Sequence, residues 1–245
     1  MRYAIIAAGE GSRLLQEGIG IPKPLVRVGE ERLIDRLIRI FVAHKATEIA
    51  VICRPTSADS RTNDMACPSV CDHLYGLQQQ IDIPLHVLSK TTPSSMHSMF
   101  ELSELLADEP YVLTTVDTIF RENEFTDYVN AFSRLLAKDE ADGLMGVTDY
   151  IDDEKPLYVE TADDMRITAF LDTCQAPRFI SGGIYGLTPR SLQTLQRCMD
   201  RGESRMRNFQ RAMIADGLRL KAYAFSKVLD IDHASDIIKA EQFLR

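Results

Sequence analysis

The feature that most constrains this chain is an apolar run over residues 3–8 that empties into Gly9-Glu10-Gly11-Ser12-Arg13-Leu14, with Pro22-Lys23-Pro24-Leu25 a few residues on. The run is too short to span a membrane and reads as a fully buried strand bounded by turn signals. Its two glycines reach backbone angles closed to other residues, so the chain can turn sharply with its amides facing outward, as a phosphate cradle requires. Two fixed cations, Arg13 and Lys23, bracket that turn. Adjacent anionic groups on one ligand would demand such a pair, so the segment points to nucleotide phosphates.

Other glycine-rich loops fit less well. A dinucleotide-binding turn needs a third glycine where Leu14 stands, and a carboxylate after the next strand, where Cys53-Arg54 stands. A phosphate-binding loop of the Gly-Lys-Ser/Thr type lacks its ending here. The remaining alternative is an ordinary turn whose Arg and Lys are solvated.

The string Ala7-Ala8-Gly9-Glu10-Gly11-Ser12-Arg13-Leu14 followed by Pro22-Lys23-Pro24-Leu25 resembles the signature of the sugar-1-phosphate nucleotidyltransferase superfamily. Members join a nucleoside triphosphate to a phosphorylated acceptor and release pyrophosphate. The likeness implies that Ala8, Gly9, Gly11, Ser12 and Arg13 hold the nucleotide, and that Arg13 and Lys23 act catalytically. It also implies a doubly wound, mixed, mostly parallel α/β sheet with a small β-rich subregion on the acceptor side.

Length and charge set bounds on the rest. The 245 residues suit a single domain, with residues 1–140 as a nucleotide-binding half and 141–245 as an acceptor-binding half. Against 28 Lys and Arg stand 36 Asp and Glu, a net charge of −8 that argues against a nucleic-acid partner held by diffuse attraction. No stretch reaches membrane-spanning length, and five cysteines without a signal peptide suit a reducing compartment, so the expected location is the cytoplasm. Cys67, Cys71 and His73 lie close in sequence, but their spacing is poor for zinc and no fourth ligand stands out.

Along the chain, apolar and amphipathic segments alternate as in a doubly wound sheet. Helices are expected at 32–44, 71–80, 95–106, 125–136, 189–199 and 205–215 and from 234, and a long connection at 55–68. Strands are expected at 48–53, 85–88, 111–116 and 218–225, with a cluster of short strands at 143–148, 158–161, 166–171 and 179–187.

Asp117 follows a β-branched run, at the carboxyl end of a strand where open α/β sheets bind their ligands. It reads either as a cation ligand or as a cap of the following turn. The resemblance assigns it to Mg²⁺. Asp230 and Asp232, leading into the last helix, resemble the family's late acidic motif and supply the second ligand, with the choice between them open. Ser95 and Ser98 match a segment that orients the nucleotide, and Gly182, Gly183 and Tyr185 match the acceptor-facing strand. The family's Glu-Lys-Pro is absent before that strand, and Arg178 is a candidate replacement for its lysine. Two rival functions remain: a glycosyltransferase of the related fold, which would carry Asp-x-Asp where Asp117-Thr118-Ile119 stands, and a non-catalytic nucleotide or sugar-phosphate sensor.

Overall fold

The structure is a computed structural model that describes residues 1–55, 69–152 and 155–245. The expected long connection at 55–68 and Cys67 fall almost wholly outside the described residues. In chain order the elements are β1 (Arg2–Ala7), α1 (Ser12–Gln16), β2 (Arg27–Val28), β3 (Glu31–Arg32), α2 (Leu33–Ala43), β4 (Ile49–Cys53), α3 (Val70–Gln78), β5 (Leu85–Ser89) and α4 (Ser95–Leu102). There follow β6 (Tyr111–Thr115), β7 (Thr118–Ile119), α5 (Glu122–Ala137), β8 (Gly143–Thr148), β9 (Tyr158–Thr161), β10 (Ile167–Leu171) and β11 (Phe179–Leu187). The chain finishes with α6 (Arg190–Asp200), α7 (Met206–Ala215), β12 (Leu220–Phe225), β13 (Leu229–Asp230) and α8 (Ala234–Leu244).

Among the described residues, one nine-stranded sheet organises the fold, with β10-β9-β11-β6-β1-β4-β5 as its path and β8 and β12 extending it from β11. From the pairings, β5, β4, β1, β6, β8, β12 and β9 run one way, while β11 and β10 run against them. The sheet is therefore mixed and mostly parallel, with its antiparallel contacts gathered around β11, where the cluster of short strands was expected.

Alternation along β1 divides the core. Side chains two residues apart on a strand share a face, and Tyr3, Ile5 and Ala7 join the cluster beneath α2, α3 and α5. Ala4, Ile6 and Ala8 join the opposite cluster with α4, α6 and α7. Tyr3 stacks on Phe41 at 4.5 Å between ring centroids. On α5, Phe125, Tyr128 and Phe132 recur at helical spacing and are fully buried, which fixes that helix on the sheet.

This layering sets the position of the cleft. The chain passes from β1 through α2 to β4 on one face, then returns from β5 through α4 to β6 on the other. The reversal falls between the neighbouring parallel strands β1 and β6. Ligands of open α/β sheets bind at the carboxyl ends of strands at such a reversal. Tyr111 at the start of β6 is anchored from the far side, its hydroxyl 2.7 Å from that of Ser191.

Among the described residues, no helix is long and apolar enough to cross a membrane. Helix α4 is shorter than the expected 95–106 because its last turn tightens into a 3₁₀ turn at Ser103–Leu106. The short α1, β7 and β13 carry too few residues for any periodic signal.

Candidate active site

Four strand ends converge on a cleft of about 720 Å³. The end of β1 contributes Ala8–Arg13, and Lys23 comes from the 3₁₀ turn at Lys23–Leu25. From β4 comes Arg54, from the β5–α4 junction Thr91–Ser95 and Ser98, and from β6 Thr115–Asp117. All the expected nucleotide contacts, Ala8, Gly9, Gly11, Ser12, Arg13, Ser95 and Ser98, line this one cleft. Arg54, Thr91 and Thr92 line it too, although no motif marked them.

Gly11 is where this geometry becomes obligatory. Its φ of +61° is left-handed, and a Cβ added there would lie 3.2 Å from the Cβ of Lys23. The residue turns the chain into α1 and also lets Lys23 pack against the loop. The Lys23 backbone is held in its own turn, with Val26 N–H donating to its carbonyl at 3.1 Å.

Lys23 brings the distant parts of the chain together. Its Nζ donates to Asp117 Oδ2 and, at 2.8 Å, to Asp232 Oδ1. Arg13 Nη1 donates to the other oxygen of Asp232, again at 2.8 Å. The Lys23 side chain is only 10% exposed, against 18% for Asp117 and 44% for Asp232. Burial disfavours the charge on Lys23, but the attraction and hydrogen bonds of the two carboxylates outweigh it and hold its pKa above that of a free lysine. Burial likewise opposes ionisation of Asp232, and the hydrogen bond from Lys23 with the charges of Lys23 and Arg13 more than compensates, so its pKa is lowered.

Both carboxylates are positioned by backbone. Asp117 follows β6 and precedes β7, which pairs with β13 so that Asp230 lies opposite Thr118. Ile231 N–H donates to the Asp117 carbonyl at 3.2 Å, which ties the two acidic segments together. Asp236 Oδ2 accepts from the backbone N–H groups of Asp232 and His233 at 3.2 and 2.8 Å, and Glu17 grips the same turn through His233 and the Ala234 N–H, both at 2.6 Å. Sequence left Asp230 and Asp232 as equals. In the fold Asp232 reaches Lys23 and Arg13, whereas Asp230 is exposed and faces a second cleft.

That second cleft, about 250 Å³, shares Arg13 and Asp232 with the first. Thr148, Tyr150, Asp152, Ser181, Gly182, Asp230 and Lys239 contribute to its walls. Gly182, expected to face the acceptor, is among them. Gly183 lies behind it in a left-handed bulge of β11, where an added Cβ would stand 3.2 Å from Thr118 Oγ1.

Of the residues expected on the acceptor side, Gly183, Tyr185 and Arg178 line neither cleft. Tyr185 lines neither cleft: it is buried, Gln210 Nε2 donates to its hydroxyl at 3.2 Å, and burial pushes its phenol up to about 12. Its place in the strand sends the side chain into the core beside α7. Arg178 also fails to reach the cleft and lies over the ring of Phe179 at 4.7 Å, beside a separate surface groove. Among the described residues, Lys239 of α8 lines the second cleft together with Arg13, and its Nζ donates to Asp152 Oδ2 at 2.8 Å. An amphipathic helix gives no local signal that one of its lysines faces a cleft.

For zinc, Cys71 Sγ lies 3.0 Å from Cys53 Sγ and His73 Nε2 lies 2.5 Å from Asp35 Oδ1, so the two turn to different neighbours, while Cys67 is outside the described residues. Among the described residues no group of three or more His, Cys, Asp or Glu side chains is arranged to hold a metal ion.

The Nucleotidyl transferase family matches residues 3–245, and the chain belongs to it: the protein is a nucleotidyltransferase enzyme. Its fold is similar to that of the inositol-1-phosphate CTP transferase from T. maritima, with a TM-score of 0.76 and 17% identity over 100% of this chain and 97% of that one. A Bacillus anthracis protein assigned as a glucose-1-phosphate thymidylyltransferase, solved with sucrose, gives a TM-score of 0.80 at 16% identity, covering 100% and 95%. The CTP:phosphocholine cytidylyltransferase from Streptococcus pneumoniae gives 0.73 at 17% identity, covering 100% and 99%. No curated protein matches the sequence.

Proposed function

We propose that this enzyme joins a nucleoside triphosphate, with a pyrimidine base favoured by its likenesses, to a small phosphorylated polyol such as a sugar 1-phosphate, releasing pyrophosphate. The carrying observation is the meeting of Arg13, Lys23, Asp117 and Asp232 where the two clefts join. In this reading the chain acts as one domain, with residues 1–140 binding the nucleotide and 141–245 supplying the acceptor wall and the late carboxylate.

Repulsion between anions is the obstacle to the reaction. An acceptor phosphate must attack the α-phosphorus while pyrophosphate departs, and such transfers depend on in-line positioning and charge neutralisation. Arg13 takes the β- and γ-phosphates, the loop from Ala8 to Ser12 wraps them, and Lys23 bridges the α-phosphate and the incoming acceptor phosphate. No general base is required, because a phosphate monoester is largely ionised near neutral pH. Ser95 and Ser98 border the nucleoside end, and Gly182 the acceptor.

The donor set fits Mg²⁺. Asp117 and Asp232 are hard oxygen ligands close enough to share one ammonium, and Mg²⁺ is usually held by one or two carboxylates plus substrate phosphates and water. When bound it would supply Lewis-acid neutralisation of the polyphosphate. Asp230, two residues before Asp232 and paired with Thr118, lines the second cleft beside it.

The second cleft favours hydroxyls over a quaternary ammonium group. Among its described residues the one Phe, Tyr or Trp ring is that of Tyr150, and Lys227 Nζ already covers that ring at 3.9 Å from the centroid. An ammonium ligand would want several free ring faces. The Asp152–Lys239 pair and the hydroxyls of Thr148, Ser181 and Ser235 instead offer donors and acceptors to a polyol. The test is pyrophosphate release with Mg²⁺, each nucleoside triphosphate and a panel of sugar 1-phosphates, inositol 1-phosphate and phosphocholine. Turnover with a polyol phosphate is expected. Preference for phosphocholine would overturn the acceptor assignment, and hydrolysis of a sugar nucleotide without pyrophosphate chemistry would favour a glycosyltransferase.

A further inference from the structure

The proposed chemistry uses no thiol, yet the fold brings two into contact: Cys53 Sγ and Cys71 Sγ stand 3.0 Å apart. Cys53 closes β4, where its backbone is fixed from both sides. It pairs in register with Ala7 of β1 and Ser89 of β5, and its carbonyl accepts from the Lys90 N–H at 2.9 Å. Cys71 lies in the opening turn of α3, outside the sheet. A disulfide holds its sulfurs about 2.05 Å apart, so the pair closes with about 1 Å of movement in the Cys71 side chain and the turn that carries it. The other described thiols lie elsewhere. Cys198 belongs to the core layer on the opposite face of the sheet, and Cys174 follows β10 beside the groove of Arg178.

We infer that Cys53 and Cys71 form a modification site, an intramolecular disulfide made by a small peroxide, which fastens α3 to the end of β4 one residue before Arg54 of the nucleotide cleft. Cys71 retains 8% exposure and Cys53 none, so Cys71 meets the oxidant first. Burial and the neighbouring Cys71 push the Cys53 thiol above its ordinary range, which keeps it protonated until that moment. The Cys71 thiolate attacks one peroxide oxygen and the O–O bond breaks, leaving a sulfenic acid and a hydroxide that takes up the proton Cys71 lost. The Cys53 sulfur then attacks the Cys71 sulfur. The S–S bond forms, the S–O bond breaks, and hydroxide leaves with the Cys53 proton as water. Each sulfur is oxidised by one electron, and the peroxide is reduced to two waters. The bond closes a loop across 18 positions, and the entropy it removes from the unfolded chain stabilises the fold. It also spares Cys71 further oxidation to the sulfinic acid, a step that thiols do not reverse.

The full chain and its Cys67→Ser variant, treated with hydrogen peroxide and then blocked with N-ethylmaleimide in denaturant, provide the test. Both should lose two blockable thiols, peptide mapping should recover Cys53 and Cys71 in one linked pair, and dithiothreitol should restore them. The unfolding temperature of the oxidised protein should rise by about 5–10 °C, and Cys71→Ser treated in the same way should show no rise. Recovery of Cys53 and Cys71 as separate thiols or sulfinic acids, or linkage of either to Cys67, Cys174 or Cys198, would overturn the site. A linked pair without a rise in unfolding temperature would overturn its role as a fastener. Neither outcome touches the nucleotidyl transfer, which pyrophosphate release tests separately.

Discussion

Lys23 Nζ and Asp232 Oδ1 meet at 2.8 Å across 209 residues of sequence. The contact joins the turn after the first strand to the entrance of the last helix. Replacing the lysine should show how much of catalysis depends on it: Lys23→Ala is expected to lose about 3 kcal/mol of transition-state stabilisation, a fall of about a hundredfold in kcat/KM. Steady-state pyrophosphate release measures this, and an unchanged turnover would remove Lys23 from the chemistry.

The two late aspartates should separate in kinetics. Asp232 touches Lys23 and Arg13, while Asp230 is exposed on the second cleft. Asp232→Asn should lower kcat by about a hundredfold, and Asp230→Asn should act mainly on the acceptor KM. Equal losses of kcat in both variants would contradict this division.

Gly9 and Gly11 look alike in sequence and differ in the fold. An alanine at position 11 must hold φ near +61° and press on Lys23, whereas a Cβ at Gly9 meets nothing within 4 Å. Gly11→Ala is expected to cost about 1–2 kcal/mol of stability as well as activity. Gly9→Ala should keep its unfolding free energy and raise only the nucleotide KM. Urea unfolding of both variants beside their kinetics checks the contrast.

Away from the cleft, Asp142 sets an acid limit on stability. Its side chain is 4% exposed, and it accepts from Arg190 Nη1 at 2.7 Å, the Arg219 backbone N–H at 2.8 Å and Arg219 Nε at 3.1 Å. Burial opposes its charge, but these arginine contacts prevail and lower its pKa. Its contribution is therefore complete above the unfolded aspartate value of about 3.9 and is lost as pH falls through the lower folded value. Asp142→Asn should cost about 2 kcal/mol near neutral pH, with the gap to wild type closing in acid. A gap that persists at the lowest pH would show that the loss comes from packing.

Much of this architecture was legible in the sequence because its signals are local. The strands at 143–148, 158–161 and 179–187 fall where expected, and the remaining helices and strands shift by a few residues at their ends. That the residues of the glycine turn and Lys23 share one cleft was legible for the same reason, since a strand, a turn and two cations lie within one short segment. What escaped depends on contacts between remote segments. The pairing of β7 with β13 involves two residues on each side, and it decides which aspartate faces Lys23. Tyr185 and Lys239 show the same limit on the acceptor side. A tyrosine beside two glycines reads as a cleft residue until α7 covers it, and nothing around Lys239 announces that Asp152 lies opposite.

The pairing of β7 with β13 also bears on how this enzyme is made. Synthesis produces the glycine turn, Lys23 and Asp117 well before Leu229 and Asp230, more than a hundred residues later in the chain. A nascent chain stopped short of them would have Arg13, Lys23 and Asp117 but would lack Asp232. The cluster around Lys23 is thus complete only once the segment after Leu229 docks, because Asp232 arrives with it.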